Sequence, residues 1–190
     1  MAIDLEKLQQ LLTNKLREKF GEAVVEIVEH RGELTVIIDR AVLKDACFLL
    51  RDDPDFQMNF LSYATAVDYL ALGRKPRYDC VYELYSIPKA HRVRLRAAVP
   101  EEDLEIDSVF DVWPGSNFFE REAYDMFGIL YKGHPDLRRI MMPDDWQGHP
   151  LRKDFPLGGV KSFYFKRDSD PHAGEPPGLI PRVRTQQSDI

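Results

Sequence analysis

The sequence predicts an α+β protein: a two-layer core of helix, two strands, helix and three strands with a largely antiparallel sheet, then a further helix and an extended Pro-rich tail. Three observations carry this. Apolar residues recur at three- and four-residue steps near the start and again after residue 108. Residues 92–99 alternate apolar and basic side chains. Successive strand-like runs are joined by turns short enough for antiparallel neighbours.

The first helix is read over 4–20, where Leu5, Leu8, Leu12 and Leu16 share a face and Gly21 is a natural stop. A strand over 23–28 and a returning strand over 34–38 flank the turn His30-Arg31-Gly32-Glu33. Residues 42–52 read as a second helix, ended by Pro54. Three strands follow: one within 57–70, one over 81–87 and one over 92–99. In the last, Val93, Leu95, Ala97 and Val99 point one way and Arg92, Arg94 and Arg96 the other. Acids such as Glu83 would balance that basic stripe. Helical spacing returns over 108–130, with Phe119, Ala123, Met126 and Leu130 on one stripe. Asn117 and Glu120 are spaced as a capping box, and Gly128 marks the end. The organisation expected is a globular part, 1–130, and a loop-rich segment with an extended tail, 131–190. The tail holds Pro156, Pro171, Pro176, Pro177 and Pro181, which oppose helix and central sheet, yet it also carries Phe163, Tyr164 and Phe165.

With 190 residues, 44% hydrophobic and 31% charged, the chain can build a core without staples. A net charge of −6 argues against a nucleic-acid binder. Cys47 and Cys80 are too few for a disulfide framework or an iron–sulfur cluster, and their apolar neighbours suggest buried thiols. No run approaches a membrane span, and the first residues have neither the basic head nor the apolar stretch of a secretory signal. Glycine-rich phosphate loops, Cys-x-x-Cys and His-Glu-x-x-His are missing, so no common device for NAD, flavin, ATP or a cluster is legible.

The dense segment is 117–157, where charges, prolines, glycines and aromatics interleave without period. It reads as a rigid loop shaped to fit something. Arg121 and Asp125 are four apart on a helix and could pair, or anchor the following loop together with Glu120 and Glu122. His134, Asp136 and His149 could be metal ligands or an acid/base set, but the two histidines precede Pro135 and Pro150, which suits a structural turn.

Glu120-Arg121-Glu122-x-x-Asp125-Met126-Phe127-Gly128, then Gly133-His134-Pro135-Asp136-Leu137-Arg138-Arg139, resembles one family closely. So does Met142-Pro143-Asp144-Asp145-Trp146-x-Gly148-His149-Pro150-Leu151-Arg152-Lys153-Asp154-Phe155-Pro156-Leu157. It is the family of the thirty-kilodalton subunit of proton-translocating NADH–quinone oxidoreductase, respiratory complex I. The resemblance implies a peripheral-arm subunit on the cytoplasmic side of the bacterial inner membrane, in an enzyme that moves electrons from NADH to quinone. It implies no catalytic residue, metal or cofactor on this chain; FMN, iron–sulfur clusters, NADH and quinone would be bound by other subunits. The partners implied are the quinone-site subunit, across which the tail would lie, and the cluster-bearing subunits. Glu120, Arg121, Glu122 and Asp125 would be helix anchors, ended by Gly128. His134, Pro135, Asp136, Arg138, Arg139, Asp144, Asp145, Trp146, His149, Pro150, Arg152, Lys153 and Asp154 would be loop and interface residues. Two alternatives stand beside it: the equivalent subunit of a ferredoxin-fed or hydrogenase complex, and a stand-alone metal-dependent enzyme using His134, Asp136 and His149.

Overall fold

The computed structural model describes residues 4–156. The order is α1 (Leu5–Phe20), β1 (Val24–His30), β2 (Glu33–Ile38), α2 (Leu43–Asp52), β3 (Phe60–Asp68), β4 (Tyr78–Ser86), β5 (His91–Val99), β6 (Glu105–Asp107), α3 (Ser116–Phe127) and β7 (Leu130–Lys132). Each helix and strand expected up to residue 99 is present, within a few residues of its expected bounds.

Five strands form one sheet in the order β1-β2-β5-β4-β3. Hairpin pairings β1–β2, β3–β4 and β4–β5 are antiparallel. The central pairing, β2 with β5, is parallel. The sheet is therefore mixed and mostly antiparallel, because α2, β3 and β4 lie between the two parallel strands in sequence.

One sheet face is apolar. Leu34, Val36 and Ile38 of β2, Tyr78, Cys80, Tyr82 and Leu84 of β4, and Val93, Leu95, Ala97 and Val99 of β5 are buried in one core. Leu8, Leu12 and Leu16 of α1 and Leu43, Ala46, Cys47 and Leu50 of α2 join them. Each large apolar side chain among them contributes about 1.5–3 kcal/mol by leaving water. Cys47 and Cys80 are free and buried, and burial pushes both thiols above their ordinary range, Cys80 to about 12. On the other face acids balance two of the three arginines of the basic stripe, Arg94 and Arg96. Arg94 pairs with Glu83 and with Glu33 at 2.9 Å, and Arg96 pairs with Asp79.

Helical structure after residue 108 is shorter than its spacing suggests. Residues 108–115 form turns, and Leu130 is exposed in β7, which pairs with β6 in a small parallel sheet. Three-residue strands leave too little alternation to read from sequence. From 133 the chain is irregular yet belongs to the same compact unit as the body, up to Phe155. Leu157 and the aromatic and proline residues of the expected tail beyond it lie outside the described residues.

Candidate functional site

Helix α3 organises the dense segment. Its N-terminal residue pair does not make a capping box: Gly115 occupies the cap and offers no side chain. Glu120 shares the buried face with Ala123 and turns inward. One carboxylate oxygen accepts the Val109 backbone N–H at 2.8 Å, and the other accepts the Ser108 hydroxyl at 2.5 Å. Burial raises the Glu120 pKa, opposed by these two donors. Glu120 thus ties α3 to the turn before it. Glu122 is half-buried.

The i,i+4 pair of Arg121 and Asp125 does not form either. Each reaches a different part of the loop that follows. Arg121 Nε and Nη2 donate to the carbonyls of Arg138 and Arg139 at 3.2 and 3.1 Å. Asp125 has no exposed side-chain surface. Its Oδ2 accepts the successive backbone N–H groups of Ile140, Met141 and Met142 at 3.0, 2.8 and 2.8 Å. Its Oδ1 accepts Nη1 of Arg139 at 2.5 Å. Burial alone would push this carboxyl up, but the Met142 N–H, the Arg139 guanidinium and the other N–H groups hold it below the usual range. A carboxylate wrapped by three amides and a guanidinium is a strong, directional clasp.

The loop also closes the end of α3. A helix leaves its last carbonyls without partners inside the helix. Here the Asp125 carbonyl accepts Nδ1–H of His149 at 2.9 Å, and the Met126 carbonyl accepts the Leu151 N–H at 3.1 Å. The Phe127 carbonyl accepts Nε of Arg152 at 2.6 Å. A cation at this end also suits the helix dipole. Gly128 caps in the left-handed region at φ +79°. A Cβ there would stand 2.5 Å from Nη2 of Arg152 and 2.6 Å from Nε2 of His149, so the close approach also requires glycine.

A second clasp lies at the ends of β3 and β4, and sequence reasoning missed it. Asp68 and Arg77 form a buried bidentate pair at 2.9 and 2.7 Å. Asp68 also accepts the Lys153 backbone N–H at 2.9 Å, and Arg77 Nη2 donates to Asp154 at 2.8 Å and Nη1 to Glu101 at 2.5 Å. Burial opposes ionisation of Asp68, yet Arg77 and the N–H groups of Lys153 and Leu70 bring it down to about 2. The one available signal was an acid and a base at the boundaries of adjacent strands.

The remaining expected residues divide by direction. Nδ1 of His134 accepts the Asp136 backbone N–H at 3.0 Å, which places the proton on Nε2, facing the Asn117 carbonyl at 3.3 Å. Asp136 and Arg138 pair at 2.8 Å on the surface. Trp146 stacks on Phe155 with centroids 6.4 Å apart. Pro150 is half-buried; Pro135, Asp144, Asp145, Lys153 and Asp154 are each at least partly open to solvent. Ile140, Met141 and Leu151 also present apolar surface to solvent. His134 and His149 bind carbonyls eight residues apart on α3, about 12 Å along its axis. The structure does not bring them together, and among the described residues no cluster of three or more His, Cys, Asp or Glu side chains could hold a metal.

What the arrangement can do chemically is hold a shaped loop rigid against a helix. Comparison with known proteins gives that shape a context. Residues 36–161 match the family model described as "Respiratory-chain NADH dehydrogenase, 30 Kd subunit". The chain is 49% identical over 160 residues to an NADH-quinone oxidoreductase subunit of Geotalea uraniireducens, covering 84% of this chain and 91% of that one. It is 47% identical over 160 residues to the subunit of the same name in Geobacter sulfurreducens, covering 84% and 93%. Among solved structures it resembles a trypsin-resistant fragment (1-134) of Nqo5, with a TM-score of 0.58 and 36% identity, over 66% of this chain and 98% of that one.

Proposed function

The chain belongs to the 30 Kd subunit family of respiratory-chain NADH dehydrogenase and is a subunit of NADH–quinone oxidoreductase, and from that premise we propose that it acts as a cofactor-free scaffold. On this reading it sits in the peripheral arm, on the cytoplasmic side of the inner membrane. It holds the quinone-site subunit and the cluster-bearing subunits in register, while FMN, clusters, NADH and quinone are bound elsewhere in the complex. Among the described residues no helix is long and apolar enough to cross a membrane.

One observation carries the proposal. Polar side chains of the dense segment turn inward and fix its backbone: the buried Asp125 and Arg121, and the half-buried His149 and Arg152. What the loop then offers outward is a mixture of apolar and charged side chains, Ile140, Met141, Leu151, Asp144, Asp145 and Lys153. Exposed apolar side chains with charged ones close by suit the apolar centre and polar rim of a docking surface, presented at fixed geometry. Register matters because a misplacement of about 1 Å can cost a reaction about a hundredfold.

The test is Asp125→Ala in cells. Assembled complex should fall, while the complex that does form carries its full set of cluster signals. Normal amounts of a complex that lacks a cluster signal would overturn the proposal. So would a functional tagged chain that leaves the membrane alone, without other subunits.

A further inference from the structure

The outer face of the five-stranded sheet bears no second layer among the described residues. Pairing register places its side chains in rows. Phe60, Tyr85 and Arg92 form one row across β3, β4 and β5; Tyr63, Glu83 and Arg94 form the next. Neighbours within a row stand on the same face, about 5 Å apart. A bulge between Leu61 and Tyr63 keeps Phe60 and Tyr63 both outward on β3. Tyr63 meets Phe119 of α3 edge-on at 5.5 Å, so the aromatic face continues over the sheet edge towards exposed Phe118. Phe60, Tyr63 and Phe118 are 48%, 44% and 63% exposed. A concavity of about 450 Å³ opens between Tyr63, Tyr85, Arg92 and Arg94.

Charge on this face is uneven. Arg94 is neutralised by Glu83 and Glu33, and Arg96 by Asp79. Arg92 is exposed and joins no ion pair among the described residues. The face therefore offers aromatic surface beside one uncompensated guanidinium. Large aromatics and arginine are the side chains that anchor protein interfaces. A polyanion would need a run of free cations, which the pairing of Arg94 and Arg96 removes.

We propose that this face docks a second subunit of the complex, through a segment that sets an apolar side chain against Tyr63 and Tyr85 and a carboxylate on Arg92. The inference rests on the scaffold reading and gives it a second contact surface, distinct from the loop on α3. The carboxylate commits the occupant to an acidic-apolar segment.

The test places a photo-crosslinking benzoylphenylalanine at Tyr85, and separately at Phe60, of the full chain in cells. The assembled complex is then isolated and irradiated. The expected product joins this chain to one other subunit, at a peptide containing Asp or Glu. Arg92→Glu should lower its yield about tenfold, Arg92→Lys should retain most of it, and Lys7→Glu, on the exposed side of α1, should leave it unchanged. A product with lipid or with a second copy of this chain overturns the proposal. So does a chain that isolates within the complex and yields no product. A chain that isolates alone overturns the scaffold reading first, and this one with it.

Discussion

Asp125→Asn tests the clasp on α3 most directly. The carboxylate receives four donors: three successive backbone N–H groups on Oδ2 and the Arg139 guanidinium on Oδ1. An asparagine has one acceptor oxygen. Facing the backbone amides, its NH₂ meets the guanidinium; facing the guanidinium, its NH₂ meets three N–H groups. Either orientation leaves donors opposed in a fully buried place. Removing one partner of a buried, hydrogen-bonded charge pair costs about 3–5 kcal/mol. Against a total stability of about 5–15 kcal/mol, that is a large fraction. Urea unfolding of the full chain measures it, and hydrogen exchange at the Ile140, Met141 and Met142 amides shows where it acts. Asp136→Asn serves as the control, since that carboxylate is exposed and pairs with Arg138 at the surface; it should not shift the curve. A loss under about 1 kcal/mol, with the three amides still protected, would refute the reasoning. The pH dependence has a definite sign. The folded carboxyl titrates below its unfolded value, so the clasp is complete above about pH 4 and weakens as pH falls through the depressed pKa.

Three further outcomes follow from the same geometry. Gly128→Ala should cost about 1–2 kcal/mol from the left-handed backbone alone, and should also loosen residues 148–155 to proteolysis, because Arg152 and His149 must move off the new Cβ. Glu120→Gln should destabilise less than Asp125→Asn, under about 2 kcal/mol in urea unfolding; its partners are one N–H and a hydroxyl that can rotate, and the ionised form it replaces is the one burial disfavours. Asp68 titrates at about 2 when folded, so its pair with Arg77 stabilises above about pH 4. About 2 kcal/mol is lost as pH falls from about 4 to about 2, and an acid titration followed by circular dichroism should show that limb flattened in Asp68→Asn.

The body is legible in the sequence because its signals are local. Leucines at helical spacing on α1 and the clean apolar–basic alternation of β5 each announce a face to be buried. The parallel pairing of β2 with β5 is not legible, since register between distant strands depends on how the whole sheet closes. Polar partners are the hardest to read. Spacing alone correctly puts Arg121 and Asp125 on one side of a helix, and then suggests that they pair. A buried side chain takes the strongest unmet partners in reach, carbonyls for Arg121 and N–H groups for Asp125, and those belong to a loop about fifteen residues further on. Glu120 misleads for the same reason: a carboxylate three residues after Asn117 looks like a cap until the chain before the helix supplies better donors. Asp68 and Arg77 give little warning because the groups they engage, the Lys153 N–H and the Asp154 carboxylate, are more than seventy residues away.

These contacts explain why a segment so rich in charge can be rigid without regular structure. An irregular loop has no ladder of its own, so its backbone N–H groups need acceptors from elsewhere. Asp125 satisfies three of them with one oxygen, and the last carbonyls of α3 take the return half through His149, Leu151 and Arg152. Asp68 and Arg77 then fix residues 153 and 154 against the sheet. The loop is held along its length by elements whose own positions are set by the core. Its outward residues consequently inherit the sheet's geometry, so on the scaffold reading proposed above a partner docked on Met141 or Leu151 would be referenced to the whole body. Cutting either clasp by mutation should therefore release one end of the surface while leaving the other in place. The Asp125 and Asp68 variants should weaken assembly separately, and the double variant should do more harm than either alone.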